Sequence, residues 1–97
     1  MKSLDEIKSL LKQYEDEIKR EYNVKEIGIF GSYLHKRQKK NSDLDILVEY
    51  SKTPGFFRFI ELEEYLTDIL GVKVDLVIKS SLKPQIGKRI LSEVVYL

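Results

Sequence analysis

The stretch from residue 42 to residue 78 constrains the fold most, because its apolar pattern changes period twice. Segment 42–48 alternates as a strand does, segment 56–70 has apolar residues at helical spacing before Gly71, and segment 72–78 alternates again. A helix of about 14 residues between two strands is long enough to cross over one face of a sheet. The sequence therefore predicts a strand–helix–strand crossover unit.

The residues before this unit predict a helix and a further strand. Apolar residues recur every three or four positions over 4–21, Ser3 and Glu6 have capping-box spacing, and Asn23 suits the left-handed position after the last turn. A β-rich run follows at 26–30.

The rest of the chain completes the predicted architecture. A polar, basic stretch at 33–41 contains at most one helical turn, and a closing helix follows Pro84. We expect an α/β (α+β) fold in the order α-β-α-β-α-β-α, with a small mixed three-stranded sheet flanked by about four helices. Residues 1–97 make a single domain, since this length rarely supports two cores.

Composition excludes several classes of function. The chain has no cysteine and one histidine, which excludes zinc ribbons, disulfide scaffolds and thiol catalysis. The formal net charge of +1 gives no global attraction to nucleic acid or anionic lipid. There is no apolar run of the ~20 residues that a membrane span needs and no apolar signal core, so we expect a cytoplasmic protein without a membrane association.

Three of the six aspartates fall within predicted strands, where aspartate is rare. Asp43 and Asp45 are two residues apart, so their side chains leave the same face of the sheet, and Asp75 joins them if its strand is adjacent. Hard oxygen donors without histidine or cysteine favour Mg²⁺ or Mn²⁺. The alternative is that each is a solvated residue at a strand end.

A phosphate-binding turn is a second candidate feature. Gly31-Ser32 follows one strand directly, where backbone N–H groups and a hydroxyl can hold phosphate oxygens, and Gly31 allows close approach. Most Gly-Ser pairs are ordinary turns, so the pair indicates a binding site only through its spacing in the sequence from the aspartates.

Taken together, Gly31-Ser32, nine further residues and Ser42-Asp43-Leu44-Asp45 resemble the signature of the DNA polymerase β-like nucleotidyltransferase superfamily, and within it the minimal nucleotidyltransferase (MNT) family. The resemblance implies that Asp43, Asp45 and Asp75 are the catalytic residues and hold two Mg²⁺ ions. It also implies that Asp75 helps to deprotonate the acceptor.

The nucleotide-binding residues implied by the resemblance lie on both sides of the basic stretch. Gly31 and Ser32 would seat the β- and γ-phosphates of ATP, and Ser42 and Lys36 are further candidates. His35 and Lys36 depart from the family, which often has arginine and glycine at these positions. Lys36 and Arg37 are both candidates for the missing cation.

The resemblance implies a metal-dependent adenylyltransferase that moves AMP from ATP to a tyrosine of a partner HEPN toxin and so acts as an antitoxin. Two alternatives stay open: a binding module that neutralises its partner by occlusion, and nucleotidyl transfer to a small molecule or a nucleic-acid end. The four basic residues Lys36, Arg37, Lys39 and Lys40 support the last only weakly, because charge runs usually serve solubility. Association with itself or with another chain is compatible with so small a domain.

Overall fold

The computed structural model of the protein describes residues 2–39 and 42–97. Met1, Lys40 and Asn41, the last two at the end of the predicted basic stretch, lie outside the described residues. The elements in chain order are α1 (Leu4–Tyr22), β1 (Val24–Phe30), β2 (Leu44–Tyr50), α2 (Phe56–Leu70), β3 (Val74–Ile78), a 3-10 turn (Lys79–Ser81), α3 (Pro84–Glu93) and β4 (Val95–Tyr96).

The strands form one mixed sheet in the order β3-β2-β1-β4. The β1 strand is antiparallel to both β2 and β4, whereas β2 and β3 are parallel. Because parallel neighbours need a crossover, α2 runs between them as the sequence predicts. The predicted mixed α/β architecture is confirmed.

The predicted three-stranded sheet is wrong by one strand, and one predicted helix is absent from the described residues. The fourth strand, β4, has only two residues, which is too short to show an alternating pattern. Gly28 allows its close approach, since a Cβ there would lie 2.6 Å from Val94 Cγ2 and 3.1 Å from the Val95 carbonyl oxygen. Between β1 and β2, residues 32–36 form successive turns rather than an α-helix.

Local chemistry fixes both ends of α1 as predicted. The Glu6 backbone N–H donates to Ser3 Oγ at 3.2 Å, and the Ser3 N–H donates to Glu6 Oε1 at 3.2 Å, which completes the capping box. Asn23 ends the helix with a φ of 56°. The predicted boundary at residue 21 lies one residue inside the observed end.

The core lies on one face of the sheet, under α1 and α2. It contains the buried helix residues Ile7, Leu11, Ile18, Leu62, Leu66 and Leu70. From the sheet, Leu44, Ile46 and Val48 of β2 and Val74 and Leu76 of β3 face it. Residues between these positions point to the opposite face, because side chains alternate along a strand.

Candidate active site

Asp45 and Asp75 lie side by side on the face of the sheet opposite the α1–α2 core. They are register partners in the parallel β2–β3 pair, and the residues on either side of each face the core. Partners in register project from the same face of a sheet. The predicted convergence of these two carboxylates is therefore present in the structure.

Asp43 lies one residue before β2, not within it as the sequence predicted. It still acts on Asp45. The pKa of Asp45 is raised from 3.8 to about 6, chiefly by burial and then by the negative charges of Asp75 and Asp43. A hydrogen bond with Asp75 also favours the protonated form of Asp45. The three carboxylates thus share one electrostatic environment.

These carboxylates do not form a ready-made cage for a metal ion. Across residues 2–39 and 42–97, no three side chains of aspartate, glutamate or histidine are arranged so that they could hold an ion as they stand. The observed geometry is a paired Asp45–Asp75 unit with Asp43 beside it.

Gly31 joins the phosphate-binding candidate to this cluster. Its φ of 81° lies in the left-handed region, and a Cβ at this position would overlap the Asp45 carboxylate. Phe30, the residue before it, is the register partner of Asp45 across β1 and β2. Only glycine satisfies both the backbone angle and the close contact, so the Gly31-Ser32 turn lies directly against the carboxylates.

One predicted nucleotide-binding residue, Ser42, is engaged by the loop itself, and another, Lys36, lines a cavity away from the Gly31-Ser32 turn. Ser42 Oγ accepts from the Lys39 N–H at 2.8 Å, and the Ser42 N–H donates to the Lys39 carbonyl at 3.0 Å. Lys36 has a left-handed φ of 56° and lines a cavity with Asp5 and Gln38 beside the start of α1. The binding roles of Ser32, Ser42 and Lys36 stay predictions.

The sequence analysis missed the residues that anchor and face this turn. Tyr33 is only 2% exposed and belongs to the core. Its position within the stretch 27–35, which contains no Asp, Glu, Lys or Arg, was a usable signal. His35 Nε2 lies 3.2 Å from Glu93 Oε2 on α3, a contact between residues 58 positions apart that no local pattern indicates.

No helix in the described part of the chain combines the length and apolar character needed to cross a bilayer.

Comparisons with known proteins agree with this geometry. A family model for the nucleotidyltransferase domain matches residues 11–97. The protein adenylyltransferase MntA of Thermococcus cleftensis is 50% identical over 97 residues, which cover 100% of this chain and 98% of that protein.

Two solved structures are also similar. One, described as a minimal nucleotidyltransferase, has a TM-score of 0.77 and 26% identity, covering 94% of this chain and 95% of its own. The other is a chain from a toxin–antitoxin crystal structure with AMP-PNP, which has a TM-score of 0.70 and 28% identity over 95% of this chain and 69% of its own. The chain described here is therefore a nucleotidyltransferase and belongs to the minimal nucleotidyltransferase family.

Proposed function

We propose that this nucleotidyltransferase is a protein adenylyltransferase that transfers AMP from ATP to a tyrosine of a HEPN-type toxin, and that it acts as the antitoxin of the pair. The observation that carries the proposal is the Asp45–Asp75 pair, with Asp43 beside it, directly against Gly31. The name of the Thermococcus relative and the AMP-PNP complex support the choice of AMP and ATP. We also place the chain in the cytoplasm, where ATP, the donor proposed here, is available.

The donor chemistry of the cluster fits Mg²⁺, with Mn²⁺ as a substitute. Asp43, Asp45 and Asp75 offer only carboxylate oxygens, the ligands that these hard cations prefer. The raised pKa of Asp45 reflects burial and charge repulsion that a cation would relieve. These three residues would hold two ions, which supply charge stabilisation at the attacking and leaving oxygens.

The chain's own residues then have distinct tasks in the transfer. Asp75 is exposed on β3, at the edge of the sheet, where a hydroxyl of a second protein can reach it and give up its proton. The acceptor oxygen forms a bond to the α-phosphorus while the bond from that phosphorus to the bridging oxygen breaks, and pyrophosphate leaves. Gly31 and Ser32 hold the β- and γ-phosphates in line, so positioning and charge provide the rate.

The decisive experiment follows AMP transfer from ATP labelled at the α-phosphate to a purified HEPN-type partner. We expect labelling with Mg²⁺ or Mn²⁺, none in EDTA, and a loss of about 100-fold or more in the Asp43→Asn/Asp45→Asn variant. The exposed Asp16 on α1 provides the matched control, and Asp16→Asn should label the partner at the wild-type rate. Replacing the acceptor tyrosine of the partner with phenylalanine should remove the label.

The same experiment separates the alternatives. If the double variant neutralises the partner as well as the wild-type chain does, without labelling it, neutralisation occurs by occlusion and the proposal that AMP transfer is the antitoxin mechanism is wrong. If the wild-type chain labels a nucleic-acid end or a small hydroxyl compound instead of the partner, the reaction class is retained and the acceptor is different.

A further inference from the structure

A cavity of about 510 Å³ lies between the turn that follows β1 and helix α3. From the turn side, Gly31, Ser32, His35 and Arg37 line it, and α3 contributes Arg89 and Glu93 together with the apolar Ile86 and Ile90. Since a Cβ on Gly31 would overlap the Asp45 carboxylate, the Gly31 end of this cavity lies beside the carboxylate cluster, although none of the three aspartates lines the cavity.

The two arginines give the cavity its charge. Among the described residues, neither Arg37 nor Arg89 is within ion-pair distance of a carboxylate. The acidic residue in the lining, Glu93, contacts His35 instead, at 3.2 Å. Two guanidinium groups from opposite walls therefore face a shared space without an anionic partner.

Backbone geometry holds Arg37 at this position. The Arg37 N–H donates to the Ser32 carbonyl oxygen at 2.9 Å, which closes the turn and keeps Arg37 beside the Gly31-Ser32 pair. Lys36, the neighbouring cation, lines a different cavity near the start of α1. Of the two candidates that the sequence left open for the missing cation, Arg37 is the one that shares a cavity with Gly31 and Ser32.

We propose that Arg37 and Arg89 bind the β- and γ-phosphates of the nucleoside triphosphate from opposite walls of this cavity. Guanidinium groups bind phosphate oxygens through paired N–H donors. When the bond from the α-phosphorus to the bridging oxygen breaks, the electron pair leaves with pyrophosphate. The two arginines then face the oxygens on which the negative charge accumulates.

Calorimetry with three ligands tests the proposal on the full chain. We expect Arg37→Ala and Arg89→Ala each to weaken the binding of tripolyphosphate and of Mg·ATP about tenfold or more, while AMP binding changes less than about twofold. Arg89→Lys should recover part of the loss, because it keeps the charge but not the paired donors. Lys88→Ala is the matched control, since Lys88 is an exposed neighbour on α3 that does not line the cavity.

Two results would overturn the assignment. One is unchanged tripolyphosphate binding in both arginine variants with wild-type thermal midpoints. The other is weaker AMP binding with unchanged tripolyphosphate binding, which would place the nucleoside or the α-phosphate, rather than the β- and γ-phosphates, against the arginines. If a variant has a lowered thermal midpoint, the comparison of its AMP and tripolyphosphate affinities still decides the question, because unfolding reduces both alike.

The inference rests on the proposed nucleotidyl transfer, but the two can fail separately. If the wild-type chain binds tripolyphosphate through both arginines and labels no protein, the proposed acceptor is wrong and the phosphate site stands. If the wild-type chain labels its partner and Arg37→Ala and Arg89→Ala do so with an unchanged KM for ATP, the phosphate site is wrong and the proposed function stands.

Discussion

The site has an acidic half, Asp43, Asp45 and Asp75, and a basic half, Arg37 and Arg89. The two halves are held in place in different ways. On the acidic half, the β2–β3 ladder sets the register of Asp45 and Asp75. The backbone N–H groups on both sides of Asp75 are also engaged by α2, since Val74 donates to Thr67 Oγ1 at 3.1 Å and Leu76 to Glu63 Oε2 at 2.9 Å. Backbone pairing on one side and a helix on the other leave this strand little freedom.

The basic half depends on side chains that meet across the fold. Arg37 lies on a series of turns and Arg89 on α3, and the His35–Glu93 contact joins these two walls. That contact is solvent-exposed, and even exposed pairs of fully charged groups contribute little to stability, typically about 0–1 kcal/mol. The difference teaches that the carboxylates proposed to hold metal ions are fixed by the sheet, whereas the arginines proposed to bind phosphates lie on elements that can be adjusted by substitution.

The largest effect is expected at Gly31, where the acidic and basic halves of the site meet. Gly31→Ala would place a methyl group against the Asp45 carboxylate at a backbone angle that L-residues disfavour. We expect the free energy of unfolding to fall by about 2 kcal/mol or more and AMP transfer to fall about 100-fold. Chemical denaturation and the labelling assay measure the two effects.

Gly55→Ala is the control for this substitution, because nothing lies within 4 Å of the added methyl group. It should cost less than about 1 kcal/mol, as expected for a helix N-cap, and should leave transfer unchanged. A Gly31→Ala protein with wild-type transfer would show that the two halves do not depend on this contact.

The second prediction concerns how the carboxylate cluster affects the free energy of unfolding when no metal ion is bound. Because the pKa of Asp45 is raised from 3.8 to about 6, the folded chain keeps a proton between about pH 4 and 6 that the unfolded chain has released. This group therefore contributes most to stability below pH 4, its contribution falls as the pH rises to 6, and it stays low above that. In EDTA at pH 7, Asp45→Asn should raise the free energy of unfolding by on the order of 1 kcal/mol, a value reduced for solvent screening.

Denaturation at a series of pH values checks this. The gain from Asp45→Asn should disappear below pH 4, and Asp16→Asn, which removes an exposed carboxylate from α1, should give no gain. A loss of stability on Asp45→Asn at pH 7 would mean that the ionised carboxylate has a stabilising partner.

The sequence predicts the features that local spacing determines, and it does not predict those that long-range packing determines. The α1 capping box, the α2 crossover and the shared sheet face of nearby residues follow from local spacing, because periodicity acts over a few residues. The sequence left the adjacency of Asp45 and Asp75 conditional on the strand order, and the β2–β3 pairing settles it. The two-residue β4 and the position of Arg89 opposite Arg37 follow from long-range packing. Gly28 illustrates the limit: its sequence position shows a glycine in a strand, but only the fold shows that β4 needs the space.

The smallest expected effect lies in the basic half, at Lys36. This lysine has a φ of 56°, a left-handed angle that costs an L-residue about 1–2 kcal/mol, so Lys36→Gly removes strain while it increases the entropy of the unfolded chain. The free energy of unfolding should rise by up to about 1 kcal/mol. Mg·ATP affinity should stay unchanged, because Lys36 lines the cavity beside α1 and not the one with Arg37.

Lys52→Gly, at an exposed residue outside the left-handed region, is the control and should lower stability instead. Weaker Mg·ATP binding in Lys36→Gly would assign the phosphates to Lys36, and the basic half would then be a single loop rather than two walls joined through His35 and Glu93.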